Sequence, residues 1–193
     1  MSKYIIAITG ASGSIYGKKI VELLLHLGHE VHLIVSKTGM QVLSHELLIS
    51  YECFIKEFNV SSNFHVELED DFFSPVASGS FKTSGMVILP CSMGTLGKIA
   101  GGSSDNLIIR AADVCLKEKR KLIICPRETP YNGIHLKNML ALNDAGACIA
   151  PVSPGFYNFP KTLDDIINHH CSRVLDLLEI ENQNAKRWGQ TDD

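Results

Sequence analysis

Short apolar runs recur along the chain, and each leads through a turn into apolar positions at helical spacing. Residues 4–9, 30–35, 85–89, 122–125 and 148–150 have the continuous, β-branched character of strands buried on both faces. Between them, Ile20, Val21, Leu23, Leu24 and Leu27 line one side of a helix that Gly28 ends. A second helix runs to about residue 50, and Leu96, Ile99 and Ala100 mark a third. Leu107, Ile108, Ala111, Ala112, Val114 and Cys115 form the stripe of a fourth; Ile134, Leu136, Met139, Leu140 and Leu142 form that of a fifth. Thr162 is the start cap of the last, which carries Ile166, Ile167, Val174, Leu175 and Leu178 inward. Residues 51–84 are less regular, with a small-residue loop at 74–80 expected over the sheet edge. The repeated β-turn-α pattern predicts an α/β fold: a single domain with a three-layer αβα, Rossmann-like (flavodoxin-like), mostly parallel sheet. In such a sheet the turns after residues 9, 35, 90, 126 and 151 gather at one edge, where ligands bind.

The 193 residues are enough for one domain over 1–193, with a polar C-terminal arm from about 181 that holds the single Trp188. A net charge of −3 carries no nucleic-acid footprint. No apolar run approaches the roughly 18 residues of a membrane span, and the first residues show no cleavable signal, so a cytoplasmic protein is expected. The six cysteines are scattered without a C-x-x-C pair and read as buried free thiols; Cys91 stands out because it falls in a turn. No histidine spacing fits a metal motif, and His169–His170 reads as a surface helix pair, so no metal is expected.

Candidate chemistry lies in the turns. Residues 9–17 read T-G-A-S-G-S-I-Y-G, a strand, glycine-rich turn and helix start of the kind that offers backbone N–H groups to a phosphate. The spacing is G-x-x-G-x-x-x-G rather than G-x-G-x-x-G, and a tight βα turn needs such glycines for backbone reasons alone. After the second strand stands Ser36, where an NAD enzyme places an acid; Lys37 leaves an NADP reading open. Ser92, Met93, Gly94 and Thr95 form another hydroxyl-rich strand-to-helix turn, and Arg127 and Glu128 stand between Pro126 and Pro130 at a strand end. The predicted edge thus holds Ser12, Ser36, Ser92, Thr95, Arg127, Glu128 and Tyr157, a set suited to a phosphorylated aromatic cofactor. Arg110, Asp113 and Lys117 share one helix face, and Glu46, taken alone, reads as a solvated helix charge.

Together these stretches resemble the UbiX-type flavin prenyltransferases. The matching pieces are TGASGSIYG, S-K at the second strand, ASGSF at 77–81 and PCSMGTL at 90–96. They continue through DNLIIRAADVCLKEKR at 105–120, PRETP, IHLKNML and PGFYNFP, and end in RVLDLL and RWG, weakest over 51–73. The resemblance implies an enzyme that joins a dimethylallyl group from dimethylallyl monophosphate to N5 and C6 of reduced FMN, without metal. The prenylated product would serve a UbiD-type decarboxylase, in quinone (ubiquinone) biosynthesis or phenolic-acid breakdown. By matching positions, Gly10, Ala11, Ser12, Ser36, Ser92, Met93, Gly94, Thr95 and Arg127 would contact FMN. Lys117, Tyr157, Arg173 and Arg110 would hold the prenyl phosphate, Glu128 would be the acid/base group with Ser12 near N5, and Glu46 and Trp188 would line the site. An external flavin reductase and a homododecamer with shared sites are also implied. Lone Asp70–Asp71 and Asp164–Asp165 in place of D-D-x-x-D agree with metal-independent transfer from a monophosphate. Other readings are an FMN-dependent cysteine decarboxylase, against which stands the missing P-x-M-N motif; a decarboxylase or decarboxylase subunit; a flavin carrier; and a dinucleotide oxidoreductase.

Overall fold

A computed structural model describes residues 1–182. The chain runs β1 (Lys3–Ile8), α1 (Ser14–His26), β2 (Glu30–Val35), α2 (Lys37–Leu47), α3 (Tyr51–Phe58), β3 (Phe64–Glu67), a 3₁₀ turn (Pro75–Ala77), β4 (Gly85–Cys91), α4 (Met93–Ala100), α5 (Leu107–Lys117), β5 (Lys121–Pro126), α6 (Gly133–Asp144), β6 (Cys148–Ile149) and α7 (Leu163–Leu177). The strands form one parallel sheet in the order β3-β2-β1-β4-β5-β6. Of the two common doubly wound orders this is the Rossmann one; the order reverses between β1 and β4, and the crevice at that switch point is where such folds bind nucleotides.

Strand alternation divides the core. Ile6, Ile8, Leu33, Val35 and Val87 face α1 and α7, where Ile20, Leu24, Val174 and Leu175 meet them. Ile5, Ala7, Ile34, Met86 and Ile88 face the opposite way, onto Leu96, Ile108, Ala111 and Ala112 of α4 and α5. Both clusters use the same sheet, so the described residues form one domain. The glycine-rich turn has steric reasons for its composition. Gly13 sits at φ 109°, a left-handed value that favours glycine. A Cβ on Gly17 would lie 2.6 Å from the Leu89 carbonyl oxygen, so only glycine lets α1 press onto β4.

Four expectations need correction. The irregular stretch 51–84 contains α3 and the edge strand β3, joined through Phe54, Phe58 and Phe64. Both elements are short, eight and four residues, and α3 buries only Phe54 and Phe58, so the pattern is easily passed over. In α6 the helix is present, but Ile134, Leu136 and Leu140 are 68%, 54% and 62% exposed, and only Met139 and Leu142 are buried. The apolar spacing there marks an outer face of this chain, not its core. Cys91 lies not in a loop but at the end of β4, fully buried, where burial pushes its thiol well above the usual range. His170, read as half of a surface pair, is buried against Tyr16 at 5.2 Å between ring centres. Of the cysteines, Cys53 is exposed and Cys148 half-buried; the other four are buried, and all are free.

Candidate active site

Thr9, the first residue after β1, ties the two turns at the switch point together. Its buried hydroxyl donates to the Pro90 carbonyl at 2.9 Å and accepts from the Ser92 N–H at 2.7 Å. The Thr9 N–H donates to the same carbonyl. Beyond it, the Arg127 N–H donates to Cys91 O and the Val152 N–H to Pro126 O, so each strand-end turn is tethered to its neighbour. The backbone that carries Ser12, Ser92, Arg127 and Glu128 is held before any ligand arrives, which lowers the ordering cost of binding.

The helix starts around this crevice are capped by the hydroxyls singled out in the sequence. Ser36 accepts from the Gly39 N–H at 3.0 Å, and Ser92 accepts from the Thr95 N–H at 3.3 Å while sharing a hydrogen bond with the Thr95 hydroxyl at 3.0 Å. The first N–H groups of α4, on Met93 and Gly94, have no carbonyl one turn back to receive them. The Ser14 hydroxyl is buried on the side of the turn that faces Glu46, and Ser12 is exposed.

The N-terminus of α1 is different, because it already holds an anion. Glu46, on α2, accepts from the Gly13 N–H at 3.0 Å and the Ser14 N–H at 2.8 Å. Burial opposes its charge, but the Ser12 hydroxyl and the N–H groups of Ser14 and Gly13 outweigh that and hold the carboxyl below its usual range. Glu46 is therefore not a solvated helix charge. It closes the glycine turn.

Glu128 is half-buried beyond the end of β5, where its carboxylate accepts the Thr129 N–H at 3.0 Å. Arg127 beside it is exposed. Tyr157 is 77% exposed in the loop after β6, and Arg173 is exposed on α7, with its guanidinium 3.8 Å from Asp176. A cavity of about 310 Å³ separates that loop from α7 and is lined by Gly155, Phe159, Asp165, His169 and Ser172; none of the Ser12, Ser36, Ser92 or Arg127 groups reaches it.

Arg110 and Lys117 do not join this group within one chain. α5 runs back against the strand direction, so Lys117, its last residue, lies near the start of β5, at the opposite sheet edge from Glu128. The Lys117 ammonium is against Gly79 and pairs with Glu118 at 2.5 Å, while the Arg110 Nε donates to the Ala77 carbonyl at 3.0 Å and its NH1 pairs with Asp113 at 2.9 Å. With Arg120, which donates to the Phe81 and Gly79 carbonyls, they form a cationic surface over residues 77–81. Trp188 lies outside the described residues. Two residues of the site were not singled out from sequence for what they do. Thr9 was visible as a hydroxyl at a strand end. The Glu46 contact spans 32 residues to Ser14 and has no local signal.

The family model described as Flavoprotein matches residues 1–178. The flavin prenyltransferase UbiX of Methanocaldococcus jannaschii is 51% identical over 187 residues, covering 97% of this chain and 98% of that protein. A solved UbiX protein, AnUbiX (PadA1), in complex with FMN and dimethylallyl pyrophosphate, superposes with a TM-score of 0.93 at 37% identity, covering 99% of each chain. A dodecameric FMN-dependent UbiX-like decarboxylase from Escherichia coli O157:H7 gives 0.91 at 40% identity, covering 97% of this chain and all of the other. A likeness at this identity over almost the entire length, with the hydroxyl-capped turns of the switch point in place, makes the chain a member of the flavoprotein family and, within it, of the UbiX-type flavin prenyltransferases.

Proposed function

We propose that the protein transfers a dimethylallyl group from dimethylallyl monophosphate to N5 and C6 of reduced FMN. The observation that carries this reading is the pre-tied crevice at the switch point, in a chain that matches UbiX prenyltransferases along nearly its full length. Its donor set fits a flavin mononucleotide: the hydroxyls of Ser12, Ser36, Ser92 and Thr95, the N–H groups of Met93 and Gly94, and the Arg127 guanidinium answer a phosphate and a polar ring edge. Gly10 and Ala11 give the close backbone approach. Reduced FMN supplies the nucleophilic positions. Glu128 stands at the rim and moves a proton there, taking it from C6 as the ring closes or giving it to the leaving phosphate.

Lys117, Arg110 and Arg173 neutralise that phosphate in place of a metal, each cation contributing about 2–4 kcal/mol toward developing charge in a dry site, and Tyr157 helps to hold it. Because Lys117 and Glu128 belong to opposite sheet edges of one chain, the complete site takes residues from more than one subunit. The exposed apolar faces at Ile134, Leu136 and Leu140 and at Phe156 and Phe159 supply surfaces for that assembly, and a homododecamer is the form we assign. The flavin must arrive reduced, so an external flavin reductase precedes this step, and a UbiD-type decarboxylase accepts the product. We place the protein in the cytoplasm, where its free cysteines suit a reducing milieu; no helix among the described residues is long and apolar enough to cross a membrane.

The test is anaerobic incubation with FMN, a reductant and dimethylallyl monophosphate, followed by mass spectrometry of the flavin. Gain of one C5H8 unit is expected, and Glu128→Gln and Lys117→Met should each slow it by about 10²–10³-fold. Subunits carrying the one change, mixed and reassembled with subunits carrying the other, should recover part of the activity. FMN that binds but returns unmodified would overturn the reading in favour of a carrier or decarboxylase.

A further inference from the structure

The opposite end of β2 carries a second polar cluster that prenyl transfer does not use. β2 and the edge strand β3 run in parallel register, with His32 beside His65, and side chains two apart share a face. Glu30, His32, His65 and Glu67 therefore stand together. Glu30 opens β2 and Ser36 follows its end, so the cluster begins roughly 20 Å along the strand from the flavin crevice.

The two imidazoles stack at 4.8 Å between ring centres and 22° between planes, so the exposed His65 ring must turn about its side-chain bonds before both Nε2 lone pairs meet at one ion. His32 Nε2 is 3.0 Å from Glu30 Oε1, and His65 Nε2 is 3.6 Å from the same oxygen. One ligand atom from each of the three residues lies within 4.8 Å of the other two. Zinc bonds of about 2.0–2.1 Å in a tetrahedron separate neighbouring ligand atoms by roughly 3.3 Å, and the two measured separations lie on either side of that spacing.

His32 is also oriented for the task. Its Nδ1 is 2.7 Å from Glu67 Oε1, and the other oxygen of Glu67 accepts the buried Ser74 hydroxyl at 2.6 Å. A carboxylate on Nδ1 sets the tautomer that presents Nε2 as the ligand atom, the arrangement found behind metal-bound histidines. Glu30 and His32 are buried while the His65 side chain is 44% exposed, so the cluster opens to solvent at His65.

We propose that Glu30, His32 and His65 bind a divalent cation of the zinc class, with water as fourth ligand and Glu67 as positioning residue. The bound ion would staple the edge strand β3 to β2, and it has no part in the transfer reaction. Lys3 is the built-in competitor: its ammonium is 2.8 Å from Glu30 Oε1 and 5.1 Å above the Phe81 ring, and it must swing outward when the metal enters.

The test uses the full chain without an affinity tag, stripped with chelator and titrated with Co²⁺ as a spectroscopic stand-in for Zn²⁺. Expected are one Co²⁺ per chain with tetrahedral visible absorption, a rise in the thermal midpoint, and prenyl transfer at the same rate with or without metal. His65→Gln should abolish the spectrum, and Glu67→Gln should weaken binding about 10–100-fold. Lys3→Met should tighten it, and exposed His26→Gln should leave it unchanged. A Co²⁺ spectrum that survives in His65→Gln, or no Co²⁺ bound by the folded chain at micromolar concentration, would overturn the proposal.

Discussion

The carboxylate of Glu46 stands 2.8 Å from the backbone nitrogen of Ser14, so the start of α1 is capped by a side chain from α2. A glycine-rich turn that reads as a phosphate cradle thus has its N–H groups engaged by the protein itself. The neighbouring helix starts carry the hydroxyls of Ser36, Ser92 and Thr95. The contact also locks α1 to α2 across the mouth of the crevice.

Glu46→Gln keeps the shape and removes the charge. It should cost about 1 kcal/mol at neutral pH, the scale of a carboxylate at a helix N-terminus. The folded pKa of Glu46 is lowered from its ordinary 4.5, so its contribution is present above that value and is lost as pH falls through the folded one. Urea midpoints of the two proteins should therefore differ at neutral pH and converge in acid. A gap that persists unchanged well below pH 4.5 would contradict the assignment.

Thr9→Val replaces the hydroxyl by a methyl group of the same size. The Ser92 N–H loses its acceptor and the Pro90 carbonyl one of its donors in a buried site, a loss of about 1–3 kcal/mol. Flavin affinity should fall as well, because the Ser92 turn is no longer fixed. Denaturant titration and flavin fluorescence quenching read the two effects; unchanged flavin affinity in a clearly destabilised protein would separate the clasp from the site.

Gly17→Ala places a methyl group 2.6 Å from the Leu89 carbonyl oxygen. A backbone atom cannot yield, so α1 must move off β4, at about 1–3 kcal/mol. Gly133→Ala, where a Cβ meets nothing within 4 Å, is the control and should be neutral or slightly stabilising. Equal thermal midpoints for the two variants would refute the close-contact argument.

His170 is buried beside Tyr16, and burial lowers its pKa to about 4, from an ordinary 6.5. Between those values the unfolded chain takes up a proton that the folded chain refuses, so stability falls as pH falls from 6.5 toward about 4, by up to about 3 kcal/mol. Proton NMR should show one imidazole still neutral at about pH 5, and His170→Leu should flatten the stability profile. An imidazole at this position titrating near 6.5 would remove the effect.

Much of this architecture is local and was legible. Apolar runs of strand length, helical stripes and the cap at Thr162 each depend on neighbours in sequence, and so the parallel sheet and the gathering of Ser12, Ser36, Ser92, Arg127 and Glu128 at one edge could be read without coordinates. Motif resemblance added the flavin and the prenyl donor. Only the tertiary structure decided which groups answer one another across long separations. The Thr9 clasp on Ser92 spans 83 residues and the Glu46 cap on Ser14 spans 32, and no periodicity encodes either. Burial of His170 and exposure of Ile134, Leu136 and Leu140 were likewise decided by what packs against each helix, since a helical stripe does not say whether a core or another subunit will cover it. The position of Lys117 at the far sheet edge follows from the antiparallel return of α5, a property of chain direction that residue spacing leaves open.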